Sequence, residues 1–144
     1  KKFLGIKVVI EHVGSTAVPG LGGKGIVDIM IAVNKADLNK VRRLLQRRGY
    51  EFKDKAGSKE RLFFQKNYTR RKVHIHLTFK SSKEMLKKVA LREYLKKHPE
   101  ACKEYAKLKK KAVKICKENG KIYRKYKNKF LKEIEIKALR EYKK

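Results

Sequence analysis

The sequence predicts an α+β domain, and a change of period along the chain carries that prediction. Up to about residue 80 the apolar residues alternate or run continuously, as strands do, between Gly- and Pro-rich turns. From Ser82 onward they recur every three or four positions, as on helices. A chain of 144 residues suits one domain with its own core. Residues 1–144 are therefore expected to form a single unit, mainly sheet over 1–80 and helical over 81–144.

Residues 6–12 are rich in β-branched side chains and read as a strand, followed by the loop "GSTAVPGLGGKG" (14–25). "IVDIMIAV" (26–33) is a near-continuous apolar run, the mark of a strand covered on both faces. Asp37 is placed to cap a helix running to about Arg48, with Leu38, Val41, Leu44 and Leu45 on one face and Gly49 as its stop. "YEFK" (50–53) and "RLFFQKN" (61–67) read as strands around a polar loop. "KVHIHLTF" (72–79) alternates strictly, which puts His74 and His76 on one face. Three helical stretches follow. They carry Leu86, Val89, Ala90 and Tyr94, then Tyr105, Leu108, Ala112 and Ile115, then Ile122, Tyr126, Phe130 and Ile134. Pro99 suits the first turn of the second, and Gly120 the break before the third.

Forty-two Lys and Arg against fourteen Asp and Glu leave a net charge of +28. Residues 1–80 hold 19 basic and 6 acidic side chains, and the remainder 23 and 8, so the charge is spread over the fold and is no detachable tail. Such a field attracts polyanions, nucleic acid and nucleotides among them. The plainer reading is a lysine-rich solvated surface, and the run "KLKKK" (107–111) fits either. Cys102 and Cys116 form no C-x-x-C pair, so reduced thiols in a cytoplasmic protein are expected. The opening "KKFLGIKVVI" is too short and too interrupted to span a membrane.

The stretch from Glu11 to Val33 carries the chemistry. A Gly-Ser turn after a strand brings backbone N–H groups close to an anion, with the Ser15 hydroxyl as a further donor. Lys24 adds a point charge for a phosphate. Strand periodicity places Asp28 and Met30 on one face, and a carboxylate in an apolar strand must be paired or metal-bound. Arg61 and Lys66, at the two ends of one strand, are candidates to line an anion cleft with Lys24. Tyr123, Tyr126, Phe130 and Tyr142 fall at helical spacing and are expected to pack against the sheet rather than stack on bases.

These residues also carry a resemblance. "IEHVGSTAVPGLGGKGIVDIMIAV" (10–33) resembles the signature of the GrpB-like family, IEH-hydrophobic-GST-x-VPGL followed by a lysine and a hydrophobic-Asp-Ile strand. "RLFF" (61–64), "HIHL" (74–77), "LREYLKKHPEACKEYAKLKK" (91–110) and "YRKYKNKFL" (123–131) agree with that family in the same order. The family is grouped with the nucleotidyltransferase fold. The resemblance therefore implies a nucleotidyltransferase-like mixed β-sheet with flanking helices and a C-terminal helical segment. It implies Gly14, Ser15 and Thr16 at nucleotide phosphates, Asp28 at a divalent metal (Mg²⁺ or Mn²⁺) and an NTP as substrate or ligand. Family members usually carry a further N-terminal segment. Here ten residues precede Glu11 and the first is not Met, so the start reads as truncated.

Two departures qualify the chemistry. Met30 stands where the wider superfamily has a second acid, and it cannot ligate Mg²⁺. GrpB-like sequences tend to lack that acid as well. On the later strand, where a third carboxylate is expected, stand His74 and His76. With Glu11 and His12 beside the Gly-Ser turn they make a candidate cluster, in which Asp28, Glu11 and His76 could hold a metal. His74 or His76 could equally act as general base, contact an anion, or hydrogen-bond structurally. Three functions stay open: a nucleotide-binding protein with metal-dependent nucleotidyl transfer, an inactive accessory module of the same fold, and a basic RNA-binding protein.

Overall fold

A computed structural model describes residues 2–21, 25–115 and 120–143. Two short strands, β1 (Lys2–Phe3) and β2 (Ile6–Lys7), pair as an antiparallel ribbon. The main sheet has five strands: β3 (Val9–Val13), β4 (Ile26–Val33), β5 (Glu51–Phe52), β6 (Arg61–Asn67) and β7 (Lys72–Phe79). Their spatial order is β3-β4-β7-β6-β5. Only β4 and β7 run parallel; every other neighbouring pair in this sheet is antiparallel. Helix α1 (Leu38–Arg47) lies in the connection between β4 and β5, and α2 (Lys83–Lys97), α3 (Pro99–Ile115) and α4 (Gly120–Tyr142) close the chain. The α+β class and its mixed sheet are as predicted, with strands ending at Phe79 and helices thereafter.

The alternation of the strands divides the side chains between two layers. On one face Ile31, Val33, Phe64, Ile75 and Leu77 meet Val41 and Leu45 of α1. On the other, Val13 and Met30 meet Val89 of α2, with Met85 packed alongside. A third cluster joins Val18 and Leu21, in the loop before β4, to Leu95 and Cys102 in the α2/α3 hairpin. Helix α4 packs along α2 and buries Ile134 and Ala138.

Several local expectations are corrected. Residues 6–12 are not one strand, because the chain leaves the β1/β2 ribbon at Lys7 and enters the main sheet at Val9, with Val8 buried between. Strand β5 keeps only two of the four residues assigned to it. Asp37 does not cap α1 through its side chain, because a 3₁₀ turn over Lys35–Asp37 feeds directly into the helix and leaves Asp37 already helical. Ser82 precedes α2 in extended conformation but also makes no side-chain cap. Its hydroxyl is shared with Thr78 Oγ1 at 2.6 Å, and the Glu60 carboxylate accepts the first-turn N–H of Lys83 at 3.2 Å instead.

Gly49 stops α1 as expected. It sits at φ 88°, its N–H bonds the Gln46 carbonyl, and the Tyr50 N–H reaches back to Leu45, a Schellman ending. Pro99 opens α3, and Gly120 opens α4. Phe130 meets Tyr105 with ring centroids 6.2 Å apart, so it packs between helices, and Tyr142 is exposed. Cys102 is buried with a free thiol. Cys116 and the side chains of Ala112, Ile115, Ile122, Tyr123 and Tyr126 lie outside the described residues.

Phe64 is fully buried at the centre of the α1-facing layer and stacks at a tilt on Phe52, 5.3 Å away. Phe64→Ala should cost about 3–5 kcal/mol of unfolding free energy. Urea denaturation at neutral pH will read this as a lower midpoint at little-changed slope.

Candidate functional site

The parallel register of β4 and β7 builds the site. Asp28 pairs across the ladder with His74, and Met30 with His76, so the carboxylate and both imidazoles emerge on the face covered by α2. Strand β6 adds Phe63 opposite His76 and Arg61 opposite Thr78 on that same face. Asp28 Oδ1 is the focus: His76 Nε2 lies 3.2 Å from it and His74 Nδ1 3.4 Å. The Phe63 ring presents its edge geometry to both imidazoles, with centroids 4.9 Å from His74 and 5.2 Å from His76.

Burial and charge set the protonation of this pair. Burial alone would raise the Asp28 pKa, but the His76 hydrogen bond and the charges of His76, His74 and Lys88 outweigh it and leave the carboxyl below its ordinary range. His76 is lowered, first by burial and also by the charges of Arg61 and Lys88, against the opposing pull of Asp28. A neutral imidazole facing an ionised carboxylate carries its proton on Nε2 and donates it to Oδ1. His76 Nδ1 is then a bare acceptor, buried and without a hydrogen-bond partner among the described residues.

The Gly-Ser turn closes one side of the carboxylate. Gly14 has φ 79° and ψ −172°, a region only glycine occupies readily. A Cβ there would stand 2.6 Å from Asp28 Oδ2. Ser15 and Thr16 begin a 3₁₀ turn, and Thr16 Oγ1 is 2.9 Å from His12 Nε2.

Not every candidate joins the cluster. Glu11 shares the Asp28 face, yet its carboxylate accepts from Arg92 Nη1 at 2.7 Å, and Arg92 also holds the His12 carbonyl at 2.9 Å. The trio Asp28, Glu11 and His76 is therefore not assembled as a metal set. Among the described residues no three His, Cys, Asp or Glu groups are placed to hold a metal ion. Met30 is wholly buried beneath α2, so its position belongs to the core and not to a site mouth. Lys66 lies on the opposite face of the sheet, because it is five residues from Arg61 along an alternating strand. Its ammonium donates to the Arg48 carbonyl at 2.8 Å, at the end of α1. Lys24 lies outside the described residues.

Arg61 does reach the cluster's edge. Its Nη1 is 3.9 Å from Glu84, and its Nε is buried without a hydrogen-bond partner among the described residues. Three contributors escaped the sequence reading. Phe63 lies within the "RLFF" match and Arg92 within the 91–110 match, but neither carries a site role there, and Lys88 lies in neither stretch. Lys88 interacts with the charges of Arg61, Asp28, Glu135 and Glu84, and burial, followed by Arg61, pulls its pKa below the usual lysine value. The spacing of Met85, Lys88, Val89 and Arg92 on one side of α2 was the available signal.

Fold and site together define an α+β protein whose mixed sheet gathers one acid, two imidazoles and a glycine-led turn under a helix. The chain belongs to the GrpB family: the family model described as GrpB protein matches residues 1–137. A crystal structure of conserved protein GrpB from Enterococcus faecalis superposes with a TM-score of 0.78 at 33% identity, over 94% of this chain and 82% of that one. Among curated proteins, UPF0157 protein YqkA of Bacillus subtilis is 33% identical over 104 residues, 72% of this chain and 30% of its own length. UPF0157 protein PA4798 of Pseudomonas aeruginosa is 33% identical over 105 residues, 69% of this chain and 43% of its own. The chain thus spans less than half the length of these curated relatives.

Two outcomes test this geometry. Gly14→Ala should lose about 1–3 kcal/mol from backbone strain, plus the cost of displacing Asp28. Gly20→Ala also sits at positive φ but meets nothing within 4 Å, and it should lose measurably less by urea denaturation. For pH, a histidine with a lowered folded pKa binds its proton more readily when unfolded. Stability conferred by neutral His76 is therefore complete above pH 6.5 and falls as pH drops through its folded value. The lowered Asp28 adds a second loss below pH 3.8. Unfolding midpoints measured from pH 7.5 to 5 should fall in the wild type and fall less in His76→Asn.

Proposed function

We propose that this GrpB-family chain binds a nucleotide at the Asp28 cluster and supports nucleotidyl transfer there. The observation that carries the reading is the meeting, at one carboxylate, of a glycine-only turn and two imidazoles. A side chain on Gly14 would clash with Asp28 Oδ2, while His76 and His74 share Oδ1. In this reading Ser15 and Thr16 lie against the phosphates, with Arg61 and Lys24 adding charge. His74, the less buried imidazole, takes or returns a proton at the reacting oxygen, and His76 fixes the carboxylate.

The donor set bears on the metal. Among the described residues no cage of protein ligands forms, and Met30 stands in the core where the second acid is expected. Mg²⁺ is commonly held by one or two carboxylates together with substrate phosphates, and an ionised Asp28 fits that single role. A Mg²⁺ or Mn²⁺ ion brought by the nucleotide would supply charge neutralisation for the phosphates.

One observation favours a second reading, a binding module without turnover. The position of the second acid is given over to packing, with Met30 at zero exposure against Val13 and Val89. Both readings require a nucleotide at Asp28, and they separate only on product formation.

Each NTP should raise the melting temperature, with Mg²⁺ or Mn²⁺ enhancing the effect. At one hundred times its dissociation constant a ligand adds about 2.7 kcal/mol. Asp28→Asn should abolish the metal-dependent part of the shift. Thermal denaturation of the wild type unmoved by any nucleotide, with or without metal, would sink the proposal.

A further inference from the structure

A groove of ≈ 780 Å³ lies between residues 19–20 and the α2/α3 hairpin, and Asp28 is not among its lining residues. Its floor is apolar: Pro19, Leu95, Pro99, Cys102 and Ala106. Leu95 and Cys102 are themselves buried, so the floor is a preformed part of the hairpin core and not a loose surface. Among the described residues four lysines line it, Lys96 from α2 and Lys103, Lys107 and Lys110 from α3, and no acidic side chain does. The three on α3 are spaced four and three residues apart. That spacing sets them in one row about 10 Å long.

We propose that this groove docks an acidic amphipathic helix from a partner protein. A row of charges calls for a linear ligand, whereas a single headgroup would ask the ammonium groups to converge. Carboxylates at i, i+4 and i+7 of a docked helix match the row, and leucine-sized side chains on its apolar face fill the floor. A single-stranded nucleic acid also offers a row of anions, but it draws affinity from bases stacked on aromatic rings. The lining contains none. The inference does not depend on a nucleotide at Asp28.

The test is fluorescence anisotropy with the whole chain and a labelled peptide of about 18 residues, carrying Glu at i, i+4, i+7 and Leu on the adjoining face. A shuffled peptide of equal composition is the control, in buffer of about 0.15 M salt to suppress non-specific attraction. Lys103→Glu combined with Lys107→Glu removes the row. Lys55→Glu combined with Lys59→Glu makes the same change of net charge at an exposed loop elsewhere. The patterned peptide should bind at least about tenfold more tightly than the shuffled one. Reversal in the groove should cost about tenfold or more, and reversal in the loop much less. Equal binding of the two peptides, or equal effects of the two reversals, would overturn the proposal in favour of non-specific charge. A single-stranded RNA oligomer that loses affinity on groove reversal while the peptide does not would overturn it in favour of nucleic acid. Dodecyl phosphate bound in the groove with the peptide indifferent would overturn it in favour of a small amphiphile.

Discussion

The pairing of β4 with β7 is the constraint on which the rest of the structure depends. It is the sole parallel contact in the main sheet, and its register puts Asp28 beside His74. Taking a carboxylate out of water is costly unless it is hydrogen-bonded. Here His76 donates to Oδ1, a charged hydrogen bond of the kind that contributes roughly 1.5–3 kcal/mol. The same register decides what the helices must cover. Asp28, Met30, His74 and His76 face α2, while Ile31, Ile75 and Leu77 face α1. A slip of one residue in either strand would exchange these sets and leave the acid against the aliphatic layer.

Helix α2 is the roof of the site, and this explains the methionine. Val89 and Met85 pack onto Met30 and Val13, so the residue two after Asp28 meets side chains and not solvent. An acid there would need its own partner in a space already filled. Arg92 ties the roof to the edge strand by holding Glu11 and the His12 carbonyl, and in doing so removes Glu11 from the cluster. Burial first, and then the charges of Arg61 on β6 and Lys88 on α2, depress His76 and favour its neutral form. Helix α2 thus covers the site, and its Lys88 shares with the sheet residues in setting the protonation beneath it.

The legible parts of the sequence were those governed by a single period. Strict alternation in 72–79 put the two histidines on one face, and the near-continuous apolar run 26–33 marked a strand covered on both sides; the first holds, and the second holds from Met30 to Val33, while Ile26 is exposed. Gly49, Pro99 and Gly120 punctuated the helices because their backbone chemistry acts locally. What escaped was set by contacts distant in sequence. Asp37 looked like a cap, but the preceding 3₁₀ turn determined its conformation. Glu11 looked like a ligand until an arginine 81 positions away claimed it. Lys66 looked like a partner of Arg61 until strand parity placed it on the other face, and that correction was available from the sequence. Lys88 could not be told from its many neighbours, because a lysine turned toward the site has the same letter as those turned out.

The opening motif does two jobs at once. Its first half, Gly14 to Thr16, lies against Asp28. Its second half supplies Val18 and Leu21 to the core of the α2/α3 hairpin and Pro19 to the wall of the groove. Three residues separate Gly14 from Val18, so the turn cannot move far without disturbing one contact or the other. The glycine turn is thereby positioned from behind by helix packing as well as from the front by the carboxylate. The sequence alone leads to the expectation of a phosphate loop. In the fold, half of it is an anchor, and the anchor holds the turn in a conformation that glycine alone makes cheap. Glycine at position 14 follows from the close approach to Asp28, and the apolar Val18 and Leu21 from packing with Leu95 and Cys102.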